Sequence, residues 1–453
     1  MSMQNEIKKT EILNILDKIE QKLRAKGAQD IVLMYNRGKK YELKFVNNAN
    51  IKLSEGESES IDIFVNINKK LFTTTLNSTD EKSISACVAN IETFAQHLEP
   101  KTDYFGIAEG PFKYSEIPER WDKKISNITE KEILELADLG IDAALKSGAK
   151  RASGILEFEE TENVLLTSGN VKTSTKGTAA YFSIRALLDK SSSGHATLAE
   201  CSLKKFNLSA AGQQAGEFAK AMANPSDAVP GKYDVLFSPL AFAVLLECIG
   251  QATSIFSVEA GTSWFSDKIG QKIAPEFVNI CDDGRLPGGL GSCPYDDEGV
   301  PTQRTAVIEK GVLKTFLYNT SYARKYKTKT TANAGLFAPE PTNIILEAGS
   351  QEPNALLKDI KKGIYITNLW YTRFQNYATG DFSTIPRDAA FLVERGHLKP
   401  IKGIRLSDNM QNLLKNIAAI ANDQKQILSW EVSKPTWCPH VLVKDLNITK
   451  PTG

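Results

Sequence analysis

The feature that most limits the fold of this 453-residue chain is a layout that occurs twice. Ile12, Leu16, Ile19 and Leu23 form a helical stripe that stops at Gly27, and Leu134, Ala137, Ile141 and Leu145 form another that stops at Gly148, so the two glycines are 148 − 27 = 121 residues apart. Short alternating segments follow each stripe: 30–35, 41–45, 60–65 and 71–76 in the first copy, 155–159, 163–167, 171–175 and 179–188 in the second. Each copy then closes with an amphipathic helix. Ile84, Cys87, Val88, Ile91, Phe94, Ala95 and Leu98 mark the first, which Pro100 stops, and Ala211, Ala215, Phe218, Ala219 and Met222 mark the second. Self-similarity at a near-constant offset predicts a duplicated helix, four-strand, helix unit, and two copies are too few for a solenoid, so the units should pack side by side. Their expected bounds are 1–100 and 128–224, with a Pro- and Gly-marked connector at 101–127.

Beyond Pro230-Gly231 the texture becomes β-rich with long polar loops, and 230–453 reads as the last domain. A hairpin is written at 307–314, where Gly311 supplies the positive φ of a short turn. The pattern returns around Gly396, 396 − 311 = 85 residues later, which predicts paired hairpins in one sheet system. Met410, Leu413, Leu414, Ile417 and Ala421 are spaced as a helix, and Val441-Leu442-Val443 as a final strand. The expected class is therefore α+β, with an antiparallel sheet or partly closed barrel and two helices in this half.

One of those two helices carries the chemistry of interest. In Tyr233–Ser254 a β-branched and aromatic run ends at Ser238-Pro239, an N-cap followed by a residue that needs no N–H at the first helical position. Ala241, Val244, Leu245, Cys248 and Ala252 then give a buried face, and the segment contains Leu246-Glu247-Cys248-Ile249-Gly250-Gln251, the outline of a zinc-peptidase helix without histidines. This helix resembles that of the TldD/PmbA family of peptidases, and so do the segments at 282–305, 311–319, 378–383 and 416–423. In the TldD branch the corresponding helix reads HExxxH, with two histidine zinc ligands and a glutamate base. The PmbA branch, also called TldE, lacks the ligands and pairs with TldD. With Leu246 and Gln251 at the histidine positions, the chain is similar to the PmbA branch. That resemblance implies a subunit without metal of its own, zinc in an HExxxH-bearing partner, a heterodimer or homodimer, and unfolded peptide as substrate.

Each candidate residue also has a reading of its own. Glu247 and Gln251 are four apart on one helix face, but a lone carboxylate without a polarising metal is no peptidase, so Glu247 reads as vestigial or structural. Gly288, Gly289 and Leu290, followed by Asp296, Asp297 and Glu298, fit neither a phosphate loop nor a calcium loop. Taken alone the carboxylates read as a solvated turn; the resemblance implies a shaped loop beside the cleft that presents backbone groups to a peptide. Residues 370–377, rich in aromatics and including Tyr371, lead into Thr379, Gly380 and Asp381 and suit peptide or protein contact, or equally an Ω-loop packed on its own rings. Cys438-Pro439-His440 is two ligands short of a metal site, His195 reads as part of a Ser/Gly loop, and no Ser-His-Asp set is evident. Two further readings stay open: a stand-alone hydrolase using Glu247, Asp296 and Asp297, and an interaction scaffold acting on machinery such as gyrase.

Composition bears mainly on partners and place. A formal net charge of +1 from 55 basic and 54 acidic residues gives no electrostatic footprint for nucleic acid. The start is a charged amphipathic helix, no run approaches a membrane span, and six scattered cysteines without CxxC pairs read as reduced thiols, so the cytoplasm is expected.

Overall fold

The computed structural model describes residues 3–450, with side chains from Lys9 onward. The first half runs α1 (Met3–Ala25), β1 (Asp30–Val46), β2 (Ala49–Ile67), β3 (Lys70–Leu76) and α2 (Glu81–His97). After α3 (Lys123–Ser126) it repeats as α4 (Glu130–Lys146), β4 (Arg151–Thr167), β5 (Val171–Leu187), β6 (Ser193–Glu200) and α5 (Leu208–Ala221). All six strands form one antiparallel sheet, β3-β2-β1-β4-β5-β6. The copies meet through β1 and β4, and Lys39 pairs with Glu160, its equivalent at the offset of 160 − 39 = 121, so a pseudo-twofold axis passes through that pair.

Each copy thus has two long strands and one short strand rather than four short ones. The charged stretches at 37–40 and 157–162 look like breaks in sequence, but their charges pair across the sheet: Lys39 with Glu55 and Lys40 with Glu157, both at 2.8 Å. Opposite charges on diagonal positions of neighbouring strands let a strand continue where no core supports it. Alternate residues of β1 carry two separate cores on one face. Ile31, Leu33 and Tyr35 pack with α1 and α2, whereas Leu43 and Phe45 pack with α4 and α5. Ala137 and Ile141 of the α4 stripe are buried as expected, but at its ends Ile133 and Ala144 take the buried places and Leu134 is 37% exposed. Gly212 of α5 touches Gly140 of α4 so closely that a Cβ there would lie 2.0 Å from the Gly140 carbonyl oxygen.

The other face of this sheet meets the second half, where Val32, Phe64, Leu165 and Val171 share a core with Tyr104 and Tyr295. Connector residue Arg120 donates to the carbonyls of Ser292 and Lys176, both at 2.6 Å, so the connector is fastened to both halves.

The second half continues with β7 (Ser226–Asp227), β8 (Gly231–Phe237), α6 (Pro239–Ala252), α7 (Ile255–Glu259), β9 (Ile280–Asp283), β10 (Arg304–Glu309), β11 (Val312–Leu313), α8 (Thr320–Lys325), β12 (Ile344–Leu346) and α9 (Pro353–Asp359). It ends with β13 (Lys362–Ile366), β14 (Leu369–Asn376), β15 (Asp381–Pro386), β16 (Ala390–Glu394), β17 (His397–Lys402), β18 (Arg405–Asn409), α10 (Met410–Lys415), β19 (Ile417–Ile420), β20 (Lys425–Ser429), β21 (Val432–Cys438) and β22 (Val441–Thr449). Two open sheets result, β11-β10-β9-β12-β21-β20 and β14-β15-β18-β22-β8-β13-β16-β17-β7 with β19 beside β22. Helix α6 contacts β12, β20 and β21 of one and β8 and β14 of the other, which explains an apolar surface nearly all round.

Several expectations for this half need correction. The sheets are mixed, with parallel pairs β8–β13, β12–β21 and β7–β17. The two hairpins share a turn geometry, left-handed at Lys310-Gly311 and at Arg395-Gly396, but lie in different sheets. Helix α10 stops at Lys415, because Ile417 and Ile420 pair with β22 as strand β19. There are five helices rather than two, and only α6 exceeds seven residues.

Candidate functional site

The local sequence fixes α6 in place. Ser238 accepts from the Ala241 amide at 3.2 Å and donates to the Thr367 carbonyl at 2.7 Å, tying the helix start to the end of β13. Leu246 points into the core and is fully buried, whereas Gln251 is exposed. Five residues of α-helix separate the two by about 140° around the axis. Between them Glu247 is 4% exposed. Its carboxylate accepts from the Ser433 hydroxyl at 2.6 Å, the Lys434 amide at 3.0 Å, the Ser433 amide at 3.2 Å and the Gln251 side chain at 3.2 Å. The carboxylate therefore fastens the start of β21 to the central helix.

The long loop before β10 is folded inward. Gly288 has φ +68°, and its carbonyl accepts from Gln426, whose Oε1 accepts from the Leu290 amide at 2.8 Å. Gly289 packs so tightly that a Cβ would lie 2.5 Å from the Ser292 hydroxyl. Asp296 is 5% exposed and accepts from the amides of Val300 at 2.9 Å, Ala334 at 3.0 Å and Glu298 at 3.1 Å. Burial pushes the Asp297 carboxyl up to about 7, with Glu340 adding to it and Lys434 opposing. Burial likewise pushes Glu298 up to about 7 against the bonds from Thr320, and Asp296 well above the carboxylate range. Asp297 and Glu298 border a slot of about 30 Å³ against Val32 and Phe64, the volume of one water molecule. These carboxylates do not form a solvated turn, because the first-half sheet covers them.

Residues 370–377 are not a loop either. All but Tyr377, which begins the turn, lie in β14, an edge strand paired with β15, and Gly380, at φ +81°, packs on Trp264 and Met410. Trp264 stacks on Phe374 at 5.4 Å and Phe374 on Tyr377 at 4.8 Å. Tyr371 is 51% exposed. The Asp381 carboxyl, held below its ordinary value by Thr379 and Asn409, lines an open polar groove of about 570 Å³ with Asp408, Asn412, Asp445 and Asn447.

The structure thus ties Glu247 to the Lys434 amide and sets Asp297 within the electrostatic influence of the Lys434 ammonium, which pairs with Glu340. Among the described residues no hydrogen bond or ion pair links Tyr371, Thr379, Gly380 or Asp381 to that pair.

The donor chemistry does not suit zinc. Leu246 has no donor atom, the Glu247 oxygens are engaged, and burial pushes the Cys438 thiol well above its ordinary value. His440 spends both ring nitrogens, on Asp423 at 2.7 Å and the Tyr365 hydroxyl at 3.2 Å. Among the described residues no three His, Cys, Asp or Glu side chains are grouped to hold a metal ion.

Two arrangements escaped the sequence reading. Asp282, 3% exposed, accepts from Asn333 and from the amide and hydroxyl of Thr342, and burial raises its carboxyl to about 6 despite those bonds. His195 lies on β6 rather than in a loop, with Nε2 at 2.9 Å from the Ser183 hydroxyl and Nδ1 at 3.0 Å from the Asn368 amide nitrogen. Asp388 is beyond Asn368, 3.9 Å from Nδ1. The Asn368 amide donates to both His195 and Asp388, which leaves the imidazole proton on Nε2, facing Ser183. That is the wrong tautomer for a base acting on the hydroxyl. Burial holds the imidazole down at about 4, so a neutral imidazole beside the Arg185–Asp388 ion pair joins the two halves. Partners so far apart in the chain leave no local motif.

Comparison with known proteins agrees with this architecture. Residues 230–450 match the family model of the PmbA/TldA metallopeptidase C-terminal domain. A metalloprotease of Methanocaldococcus jannaschii is 32% identical over 204 residues, 43% of this chain and 44% of that protein, so the chain spans less than half of that relative's length. An uncharacterized protein of the same organism is 29% identical over 70% of this chain and 75% of its own. A PmbA homolog of Buchnera aphidicola is 31% identical over 42% and 43%. In fold, the chain is similar to TldE from Thermococcus kodakarensis, with a TM-score of 0.85 at 20% identity over 96% of this chain and all of that one. A Thermotoga maritima protein described as a candidate modulator of DNA gyrase also gives 0.85, at 23% identity over 97% of this chain and all of that one. With the matched domain, the named relatives and the shared fold in agreement, the chain belongs to the TldD/PmbA family.

Proposed function

We propose that the chain is a PmbA-type subunit of a TldD–PmbA-like metallopeptidase acting on unfolded peptides, with the zinc held by an HExxxH-bearing partner. The observation that carries this reading is the central helix: Leu246 is aliphatic and buried, Gln251 is exposed, and Glu247 is spent on β21. A helix so committed supplies no metal ligand and no free base. The likeness to TldE and the metalloprotease names of several relatives support the assignment. In this reading the chain forms a heterodimer with the zinc subunit, or a homodimer in its absence, and works in the cytoplasm. Units 1–100 and 128–224, with their connector 101–127, wall the substrate space, and 230–453 carries the peptide-facing edge at Tyr371. No helix among the described residues is long and apolar enough to cross a membrane.

The deciding experiment is a peptide-release assay on this chain, on the HExxxH homologue of the same cell, and on their mixture, with metal content measured alongside. The chain alone is expected to hold no stoichiometric zinc and to cleave nothing. The mixture is expected to cleave unfolded peptides until a chelator is added. Chelator-resistant cleavage by the isolated chain, or a mixture no more active than the homologue alone, would refute the subunit role.

A further inference from the structure

Two arginines at the edge of the large sheet lack an acid to pair with. The register of β14 against β15 shifts between Trp370 and Arg373, and Tyr371 adopts φ +61°, so the edge strand bulges where an aromatic residue is held in the left-handed region. The bulge arranges four side chains in one layer. The Arg373 guanidinium carbon lies 4.5 Å from the Tyr371 ring centroid, and that of Arg387 lies 3.8 Å from the Trp370 ring. The two rings meet edge to face at 5.0 Å and 88°.

A guanidinium stacked on a ring uses its face and leaves its fork of N–H donors free at the edge. The side chain of Arg373 donates at 2.8 Å to the adjacent Thr372 carbonyl, and neither arginine takes part in an ion pair among the described residues. The acids nearest to Arg387 do not serve it. Asp388 is committed to Arg185 at 2.8 Å, Ser193 at 3.0 Å and Asn368 at 3.1 Å, and Glu431 influences Arg387 only from beyond ion-pair distance. Burial, and then the charge of Arg185, push the Arg387 guanidinium below its ordinary value, the mark of a cation short of compensation. On the β16–β17 hairpin of the same sheet, by contrast, Lys399 pairs with Glu394 at 2.6 Å.

We propose that the Arg373–Tyr371–Trp370–Arg387 layer is a binding site for the carboxylates of an acidic peptide segment. Arg387 offers its fork, and Arg373 the N–H donors that the Thr372 carbonyl leaves unused, to Asp or Glu side chains, and the exposed ring of Tyr371 flanks them with apolar surface for the rest of the segment. The proposal rests on the reading of the chain as a peptide-handling subunit and names the class of peptide it holds.

Binding by the isolated chain tests the site without any cleavage. Fluorescence anisotropy would compare a labelled peptide carrying glutamate at alternate positions with its glutamine twin, at about 0.1 M salt. The glutamate peptide is expected to bind about tenfold tighter, and the double variant Arg373→Gln/Arg387→Gln to bring it to the level of the twin. Arg373→Lys, which keeps the charge but loses the planar fork, should fall between. Because Arg373 is exposed, Arg373→Gln leaves the melting temperature in place and decides the matter even if the double variant is unstable. Equal affinity for the two peptides, or unchanged affinity in Arg373→Gln, overturns the proposal. So does a double variant that keeps its peptide affinity but loses self-association, which would make the layer a contact between chains. Failure here with chelator-sensitive cleavage in the mixture would leave the subunit role standing.

Discussion

Glu247→Ala is expected to destabilise the second half by about 1.5–3 kcal/mol, the range for removing a charged acceptor from a hydrogen-bonded set. The loss is structural. Three donors, the amides of Ser433 and Lys434 and the Ser433 hydroxyl, end on this carboxylate, which is 4% exposed. Alanine removes the acceptor of all three, and although the exposed Ser433 hydroxyl can turn to water, the tie between α6 and β21 is lost. Glu247→Gln keeps one oxygen but turns an NH₂ group toward donors, so it should recover only part of the stability. Gln251→Ala removes a single bond from an exposed side chain and should stay within about 0.5 kcal/mol of the parent. Chemical denaturation gives the magnitude, and hydrogen exchange at the Ser433 and Lys434 amides locates it. An alanine variant with an unchanged midpoint and unchanged exchange there would mean that Glu247 does not anchor β21. In the peptide assay, Glu247→Gln should matter only through the fraction of folded subunit, since the proposed complex takes the base that acts on water from the partner.

Features set by local chemistry were legible from sequence. Gly27 and Gly148 end equivalent helices at φ +86° and +117°, and that shared need exposed the duplication. Ser238-Pro239 marked the start of α6 because capping is a matter of adjacent residues. Features set by distant pairing were not legible. The charged middles of β1 and β4 looked like interruptions because their partners, Glu55 and Glu157 among them, lie on other strands. Ile417 and Ile420 continue a helical spacing from Met410, yet Val441–Val443 of β22 take them as a strand, an override of local preference by sheet pairing. Asp296, Asp297 and Glu298 read as solvated because nothing near them in sequence tells of the Val32 and Phe64 side chains that cover their slot. The same holds for Glu247: its spacing to Gln251 was visible, but its donors are 186 and 187 residues away.

Between about pH 8 and pH 6.5 the chain is expected to become more stable as the solution is acidified, against the usual trend for carboxylates. In the unfolded chain Asp297 and Glu298 ionise near their ordinary values of about 4. In the folded chain burial raises both to about 7. The folded state therefore binds more protons than the unfolded one across this interval, and stability falls as pH rises through 7. For a folded value near 7 the linkage amounts to about 1 kcal/mol per group between pH 6.5 and 8. The charges facing the two carboxyls temper the effect without reversing it: Lys434 lowers Asp297 and Arg324 lowers Glu298, while Glu340 and Asp62 push Asp297 up. Below pH 6.5 an opposing group enters. Burial holds His195 at about 4 in the folded chain, so the unfolded chain takes up that proton first and the gain flattens. Below about 4, stability should fall outright. Burial pushes the Asp388 carboxyl up, but His195 and Arg185 outweigh it and hold the group below its ordinary value, so protonation there breaks the joint between the halves. Denaturation midpoints at several pH values check the curve, and Asp297→Asn separates the contributions. That variant should lose the Asp297 share of the slope between pH 6.5 and 8, keep the shares of Glu298 and Asp296, and keep the fall at acid pH. A parent whose stability is flat or rising from pH 6.5 to 8 would show that the slot beneath the first-half sheet admits enough water to keep both carboxylates ionised.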